Sequence, residues 1–80
     1  MKQLVRTPQQ VGRILQSRRK SLQLSQHAVA VKLGTSQSRI STLETDASAL
    51  TLDRLIALAS LLGLDLVLQD KADATTTSEW

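Results

Sequence analysis

Residues 24–44, which read LSQHAVAVKLGTSQSRISTLE, constrain the fold more than any other part of the chain. Ser25 suits the N-cap of a first helix, and Gly34 can supply the left-handed residue that ends it. Ser36 or Thr35 can then cap a second helix. Apolar residues recur on one side of each helix, at Val29, Ala30, Leu33, Ile40 and Leu43. The segment therefore predicts two short helices joined by a tight turn.

The second of these helices has an unusual outward face. With Ile40 and Leu43 buried, the outward positions fall on Ser38, Thr42 and Thr45, with Ser41 beside them. This face has almost no charge and no large apolar group, whereas a merely solvated helix would more often present Lys and Glu. The composition favours a helix that is presented to a polar partner.

Flanking patterns predict two more helices. Thr7, Pro8 and Gln10 form a helix start with a capping box, and this helix should end near Ser21. A loop is predicted over residues 45–50. Thr51 should cap a fourth helix with Asp53 in its first turn. That helix has a wide apolar stripe and should end at Gly63, and its members are Leu52, Leu55, Ile56, Leu58, Ala59, Leu61 and Leu62.

A single β-strand is predicted after the fourth helix, over residues 64–69. Its apolar residues are Leu64, Leu66, Val67 and Leu68. A lone strand needs a mate, which could be the segment around Leu4 and Val5 or the same strand of a second copy. We favour the second copy, which gives a homodimer.

The predicted fold class is all-α, a small four-to-five-helix bundle with one short C-terminal β-strand that pairs across a dimer. The chain divides into an N-terminal arm (1–6), a helical domain (7–63), the dimerising strand (64–69) and a polar, acidic tail (70–80) that is predicted to be disordered.

The charge is distributed unevenly along the chain. The net charge is +3, but residues 1–43 contain eight basic residues and no acid, whereas residues 44–80 have a net charge of −5. A basic half is typical of a protein that binds a polyanion, and we prefer this to a merely solvated basic face. Together with the paired helices, it predicts an interface in which one helix enters the major groove of double-stranded DNA.

Several other classes are disfavoured. The absence of cysteine excludes disulfides and thiolate metal sites, and a single histidine leaves few soft ligands for zinc. We find no nucleophile–base pair and no glycine-rich phosphate loop, so we expect neither an enzyme nor a cofactor. We expect neither a signal peptide nor a membrane span, and we expect a cytoplasmic, nucleoid-associated bacterial protein.

The residues of the paired helices resemble the helix-turn-helix of the Xre/Cro family of phage-type repressors. The resemblance includes Leu24-Ser25-Gln26, Val29-Ala30, Leu33-Gly34-Thr35-Ser36-Gln37, Ile40-Ser41 and Leu43-Glu44. Within that family the chain is most similar to HipB-type antitoxins, because a short strand and a polar tail ending in Ser78-Glu79-Trp80 follow the helices. Thr35 replaces the more usual Val or Ile, and the common Gly soon after Glu44 is absent.

The resemblance implies a dimeric repressor of its own toxin–antitoxin operon, binding a palindromic operator. It also implies that the chain neutralises a HipA-type serine/threonine kinase toxin, and that Glu79 and Trp80 engage this toxin or a cellular protease. The alternative is a free-standing repressor of phage or chromosomal genes that has no toxin. Trp80 could also be a chain end without a role.

The resemblance also assigns roles to residues. Gln37, Ser38, Ser41 and Thr42 are the expected base readers, although Gln37 could be only a polar residue at a helix start. The expected phosphate contacts are Gln26, Ser36, Arg39, Arg18 and Lys20, and Arg39 could instead contact guanine. The spacing of Arg19 and Glu44 resembles a buried ion pair of this family, and the alternative is that Arg18, Arg19 and Lys20 form one solvated basic run.

Overall fold

A computed structural model describes residues 2–71. Within this range the chain is all-helical. It has four α-helices, which are α1 (Pro8–Ser21), α2 (Gln26–Leu33), α3 (Gln37–Thr45) and α4 (Leu52–Leu61), and a single 3₁₀ turn over Ala47–Ala49. None of the helices among residues 2–71 is long and apolar enough to span a bilayer.

The side chains that the sequence suggests as caps define the helix starts. Thr7 accepts a hydrogen bond from the backbone N–H of Gln10, and the Gln10 side chain accepts one from the Thr7 N–H, which completes a capping box. Ser25 and Ser36 cap α2 and α3 in the same way, through their hydroxyl oxygens. Gly34 ends α2 at a φ of 78°, which only glycine adopts without strain.

The core lies between the helices and is built from the apolar side chains that recur at helical spacing. Its buried members are Leu15, Val29, Ala30, Ile40, Leu58 and Leu62. Further apolar side chains pack against this cluster and are partly buried, namely Val11, Leu24, Leu33, Leu50, Leu55, Leu61 and Leu64. The fold thus buries one face of every helix and leaves the opposite face free for other partners.

The backbones of α1 and α3 lie very close together at Gly12. A Cβ atom at this position would lie 2.5 Å from the backbone oxygen of Glu44 and 2.7 Å from that of Leu43. Only a residue without a side chain allows the two backbones to come so near. This contact sets how closely α3 packs against α1.

The segment between α3 and α4 differs from the prediction in two respects. Residues 45–50 are not wholly a loop, because Thr45 ends α3 and a 3₁₀ turn follows it. Ala47 in that turn is buried. The packing of Ala47 sets the conformation of the turn, and the local sequence does not specify that packing. Thr51 occupies the N-cap position of α4, but its side chain accepts no capping hydrogen bond. The Thr51 hydroxyl instead bonds the carboxylate of Asp53, and this bond holds the pKa of Asp53 below its ordinary value.

Residues 64–71, the last that the structure describes, have no regular secondary structure in the single chain. Leu64 is partly buried, whereas Leu66, Val67 and Leu68 are exposed. A strand that pairs across a dimer has no mate within one chain, so the dimerising strand stays a prediction. Lys2 Nζ lies 3.5 Å from Gln69 Oε1, which brings the N-terminal arm alongside this segment. Glu79 and Trp80 lie outside the described residues.

Candidate nucleic-acid interface

The predicted base readers share one exposed face of α3. Gln37, Ser38, Ser41 and Thr42 are all exposed, whereas Ile40 and Leu43 on the opposite side are buried. Within the described part of the chain, the side chains of Gln37 and Ser41 have no hydrogen-bond partner. The amide of Gln37 can therefore offer both a donor and an acceptor to an outside molecule.

The remaining hydroxyl groups of this face are oriented by bonds within the helix. Ser36 Oγ accepts the N–H of Arg39 at 3.1 Å and lies 3.3 Å from Ser38 Oγ. Thr42 Oγ1 donates to the backbone oxygen of Ser38 at 3.0 Å, which leaves its oxygen as an acceptor and its methyl group exposed. An acceptor beside a methyl group can meet a base amino group or the methyl group of thymine.

A buried ion pair holds the C-terminal end of α3. Arg19 donates through Nε to Glu44 Oε2 at 2.5 Å and through Nη2 to Glu44 Oε1 at 3.1 Å. The third contact of the guanidinium is a 2.8 Å hydrogen bond from Nη1 to the backbone oxygen of Leu24. Both charged residues are buried. One side chain thus ties the end of α1 to the turn before α2 and to the end of α3.

Gln26 joins this network at the first residue of α2. Its Nε2 donates to Glu44 Oε1 at 3.0 Å, so the side chain predicted to bind a phosphate is anchored to the end of α3. Burial by itself would raise the pKa of Glu44, but hydrogen bonds from Arg19 and Gln26 and the charge of Arg19 outweigh it and lower that pKa. The carboxylate therefore stays charged. The second N–H of the Gln26 amide is still able to donate.

The basic side chains predicted to meet phosphates are placed differently from one another. Lys20 and Arg39 are exposed, as a phosphate contact requires. Arg18 is only partly exposed, and its Nε donates to the backbone oxygen of Leu62 at 2.7 Å. The expectation that Arg18 is free for phosphates was therefore incomplete, because its guanidinium already binds the end of α4.

Two of these contacts could not be found from sequence. The bond between Gln26 and Glu44 links residues that each have another expected role, and only the packing of α2 against α3 brings them together. The bond between Arg18 and Leu62 joins a side chain to a backbone carbonyl 44 residues away. Because every residue has a backbone carbonyl, the sequence does not indicate which one a side chain will bond.

The family is shown by comparison with known proteins. Residues 15–69 match the family model described as "Helix-turn-helix", and this range contains α2, α3, α4 and the second half of α1. The chain belongs to this helix-turn-helix family, of the Xre type, which is a family of DNA-binding proteins. No curated protein matches the sequence significantly.

Solved structures resemble the chain over most of its length. A complex of a HipB variant with a 20mer called O2 matches with a TM-score of 0.78 at 25% identity, covering 89% of this chain and 99% of that chain. A complex of HipB with a 20mer called O4 matches with a TM-score of 0.77 at 26% identity, covering 88% and 99%. The architecture is thus HipB-like from one end of those chains to the other.

A similar helical fold also occurs in an enzyme. A crystal structure of Fe(II)-HppE with an alternative substrate, (S)-1-HPP, matches with a TM-score of 0.70 at 24% identity, covering 78% of this chain but only 32% of that chain. At this identity the likeness shows the fold alone. Function must therefore be argued from the residues of the site.

Proposed function

We propose that the chain is a sequence-specific DNA-binding antitoxin that acts as a homodimer. It represses its own toxin–antitoxin operon by binding a palindromic operator, and it neutralises a HipA-type serine/threonine kinase toxin. The proposal has two parts, DNA recognition and toxin neutralisation, and different experiments test them.

The observation that carries the DNA-binding part is the exposed face of α3. Gln37, Ser38, Ser41 and Thr42 provide amide and hydroxyl groups without competing charge, and the ion pair of Arg19 and Glu44 anchors the end of the helix to α1. Major-groove recognition needs such a helix, with hydrogen-bonding side chains held on a rigid backbone. The two HipB complexes, each with a 20mer, agree with this use of the fold.

Phosphate contacts would position α3 on the duplex. Lys20 and Arg39 are the exposed candidates among the predicted residues, and Gln26 can donate from the start of α2, where the helix dipole also favours an anion. Ser36 is the N-cap of α3, and its hydroxyl oxygen already accepts the capping hydrogen bond from the N–H of Arg39. Its contribution would therefore come through the orientation of the helix start.

The homodimer is supported by exposed apolar side chains that have no cover within the described chain. On α4 these are Leu52 and Ile56, which are 64% and 47% exposed. In the segment that follows they are Leu66, Val67 and Leu68, which are 49%, 71% and 95% exposed. Large exposed apolar side chains in such numbers are typical of an interface. Pairing of residues 64–69 between two copies would also satisfy their backbone groups.

Selection from a randomised pool of duplexes tests the DNA-binding part. We expect the purified protein to enrich one palindromic duplex, with half-sites about 10 base pairs apart. Its affinity for that duplex should exceed its affinity for a scrambled duplex by about 10³-fold or more at physiological salt. Enrichment of no sequence would contradict sequence-specific binding.

Sedimentation of two variants tests the homodimer. Leu68→Asp should convert the dimer to a monomer, because it places a charge in the proposed interface while the monomer leaves Leu68 exposed. Val31→Asp is the matched control, since Val31 is 65% exposed on α2 and lies outside the proposed interface. A dimeric Leu68→Asp variant would show that the interface lies elsewhere.

Removal of residues 70–80 tests the toxin part. The truncated protein should retain its affinity for the selected duplex but lose binding to a kinase encoded beside it, or persist longer in cells because a protease no longer engages it. If the truncation changes neither property, the tail has no antitoxin role. The free-standing repressor would then be the better description, as it would if no kinase gene adjoins this one.

A further inference from the structure

We propose that Arg54, on the first turn of α4, is a DNA-phosphate contact that acts together with Arg39. The inference rests on the proposed DNA binding and extends the interface onto a fourth helix. The charge pattern alone would assign Arg54 to the acidic half of the chain, on the side facing away from DNA.

Arg39 and Arg54 line one groove, although they are 15 residues apart in sequence. The groove joins the end of α2 to the starts of α3 and α4. Its other lining residues are Leu33, Thr35, Leu43, Ala49, Leu50 and Thr51. The two arginines and the two threonines are the polar residues of this lining, and the other four lining residues are apolar. No acidic residue lines it.

Both arginines are free to bind. Each is exposed, and within the described part of the chain neither guanidinium has a hydrogen-bond or ion-pair partner. This distinguishes them from Arg18 and Arg19, whose guanidinium groups are already bound to other parts of the fold. The nearest acid in sequence, Asp53, bonds the Thr51 hydroxyl and the backbone N–H of Arg54, and the positive charge of Arg54 also contributes to the lowered pKa of Asp53, without a direct ion pair.

The location of the groove identifies the ligand. Arg39 follows Gln37 and Ser38 on the first turn of α3, so the groove begins where the reader face begins. A helix in the major groove has a phosphodiester backbone along its side, and arginine binds phosphate through two parallel hydrogen bonds. Two free guanidinium groups beside the reader face would therefore bind that backbone, from α3 and from α4.

Salt dependence of binding to the selected duplex provides the test. Each phosphate contact adds about one unit to the slope of log affinity against log salt concentration. Arg54→Ala should lower the slope by about one unit per protomer, Arg39→Ala should do the same, and the double variant should lower it by about two. Arg54→Lys, which retains the charge, should keep most of the slope.

Lys71→Ala is the charge-matched control, because it removes one exposed positive charge from the segment beyond α4. The melting temperature of Arg54→Ala should equal that of the wild type, which would separate loss of contact from loss of fold. A salt slope for Arg54→Ala that equals the Lys71→Ala value would overturn the contact while leaving DNA binding intact. Absence of duplex binding by the wild type would overturn both.

Duplexes in which single phosphates have lost their charge can locate the phosphate that Arg54 contacts. Methylphosphonates placed one at a time in the selected duplex should weaken wild-type binding at several positions. At one position in each half-site, Arg54→Ala should be insensitive to the substitution, because its phosphate partner is already lost. Equal sensitivity of variant and wild type at every position would overturn the proposal.

Discussion

At the scale of the residue, Glu44 connects the stability of the fold to its interface. Its carboxylate binds Arg19 from α1 and Gln26 from α2, and it lies near the C-terminal end of α3, the helix that contains the predicted base readers. A buried carboxylate with these partners adds little net stability compared with an apolar replacement, but it is costly to leave without them. The network therefore fixes the relative positions of three helices.

Two neighbouring arginines should differ in their effect on stability. Arg19→Ala leaves the Glu44 carboxylate buried without its counter-ion and should lower the free energy of unfolding by about 3–5 kcal/mol. Arg18→Ala removes one hydrogen bond to the Leu62 carbonyl and should lower it by about 1–2 kcal/mol. Thermal melting of the two variants in one buffer measures the difference. Equal or reversed effects would contradict a structural role for the ion pair.

The lowered pKa of Glu44 makes its contribution depend on pH. A group whose pKa is lower in the folded state stabilises the fold above its unfolded pKa, and this contribution is lost as the pH falls through the folded value. Glu44→Gln lacks that contribution. The stability gap between wild type and Glu44→Gln should therefore narrow as the pH drops below the ordinary glutamate value of 4.5. A gap that is the same at pH 7 and in acid, in denaturant titrations, would contradict this role.

At the scale of the element, the helix boundaries follow from short-range signals in the sequence. The capping box of Thr7 and Gln10, the serine caps of α2 and α3, and Gly34 all act within four residues, so the sequence was sufficient to predict them. The 3₁₀ turn after α3 was missed because the burial of Ala47 depends on the packing of distant elements.

The candidate site also contains features that the sequence could predict and features that it could not. The outward face of α3 could be predicted from helical periodicity, which sets the directions of Ser38, Ser41 and Thr42. The partners of Arg18 and the groove shared by Arg39 and Arg54 could not, because both depend on how α4 packs against the other helices. Periodicity specifies a face, whereas contacts between distant elements require the folded chain.

The contact between α1 and α3 can be tested at Gly12. Alanine is the better helix former by about 1 kcal/mol, yet Gly12→Ala should destabilise the protein by about 1–3 kcal/mol, because the new methyl group meets two backbone oxygens that cannot move independently. Ser17→Ala, at an exposed position of α1, is the control and should change stability by less than about 0.5 kcal/mol. A Gly12→Ala variant as stable as the wild type would show that the helices can separate without cost.

At the scale of the whole molecule, the predicted reader face and the proposed dimer surface lie in different parts of the chain. Residues 37–42 provide the readers, while α4 and residues 64–69 contain the exposed apolar side chains. A two-fold dimer formed through the second surface would present two copies of the first. The proposed operator is palindromic for this reason, since each half-site would meet an identical helix.

The central claim is that paired α3 helices read base sequence, and a base-substitution scan of the selected duplex with wild type and Gln37→Ala tests it most directly. The amide of Gln37 can bond one base, so the variant should lose about 1–3 kcal/mol of binding free energy. Its base preference should relax at one base pair in each half-site, at positions related by the two-fold axis. A uniform loss of affinity, with every base preference retained, would contradict the claim and make Gln37 a backbone contact.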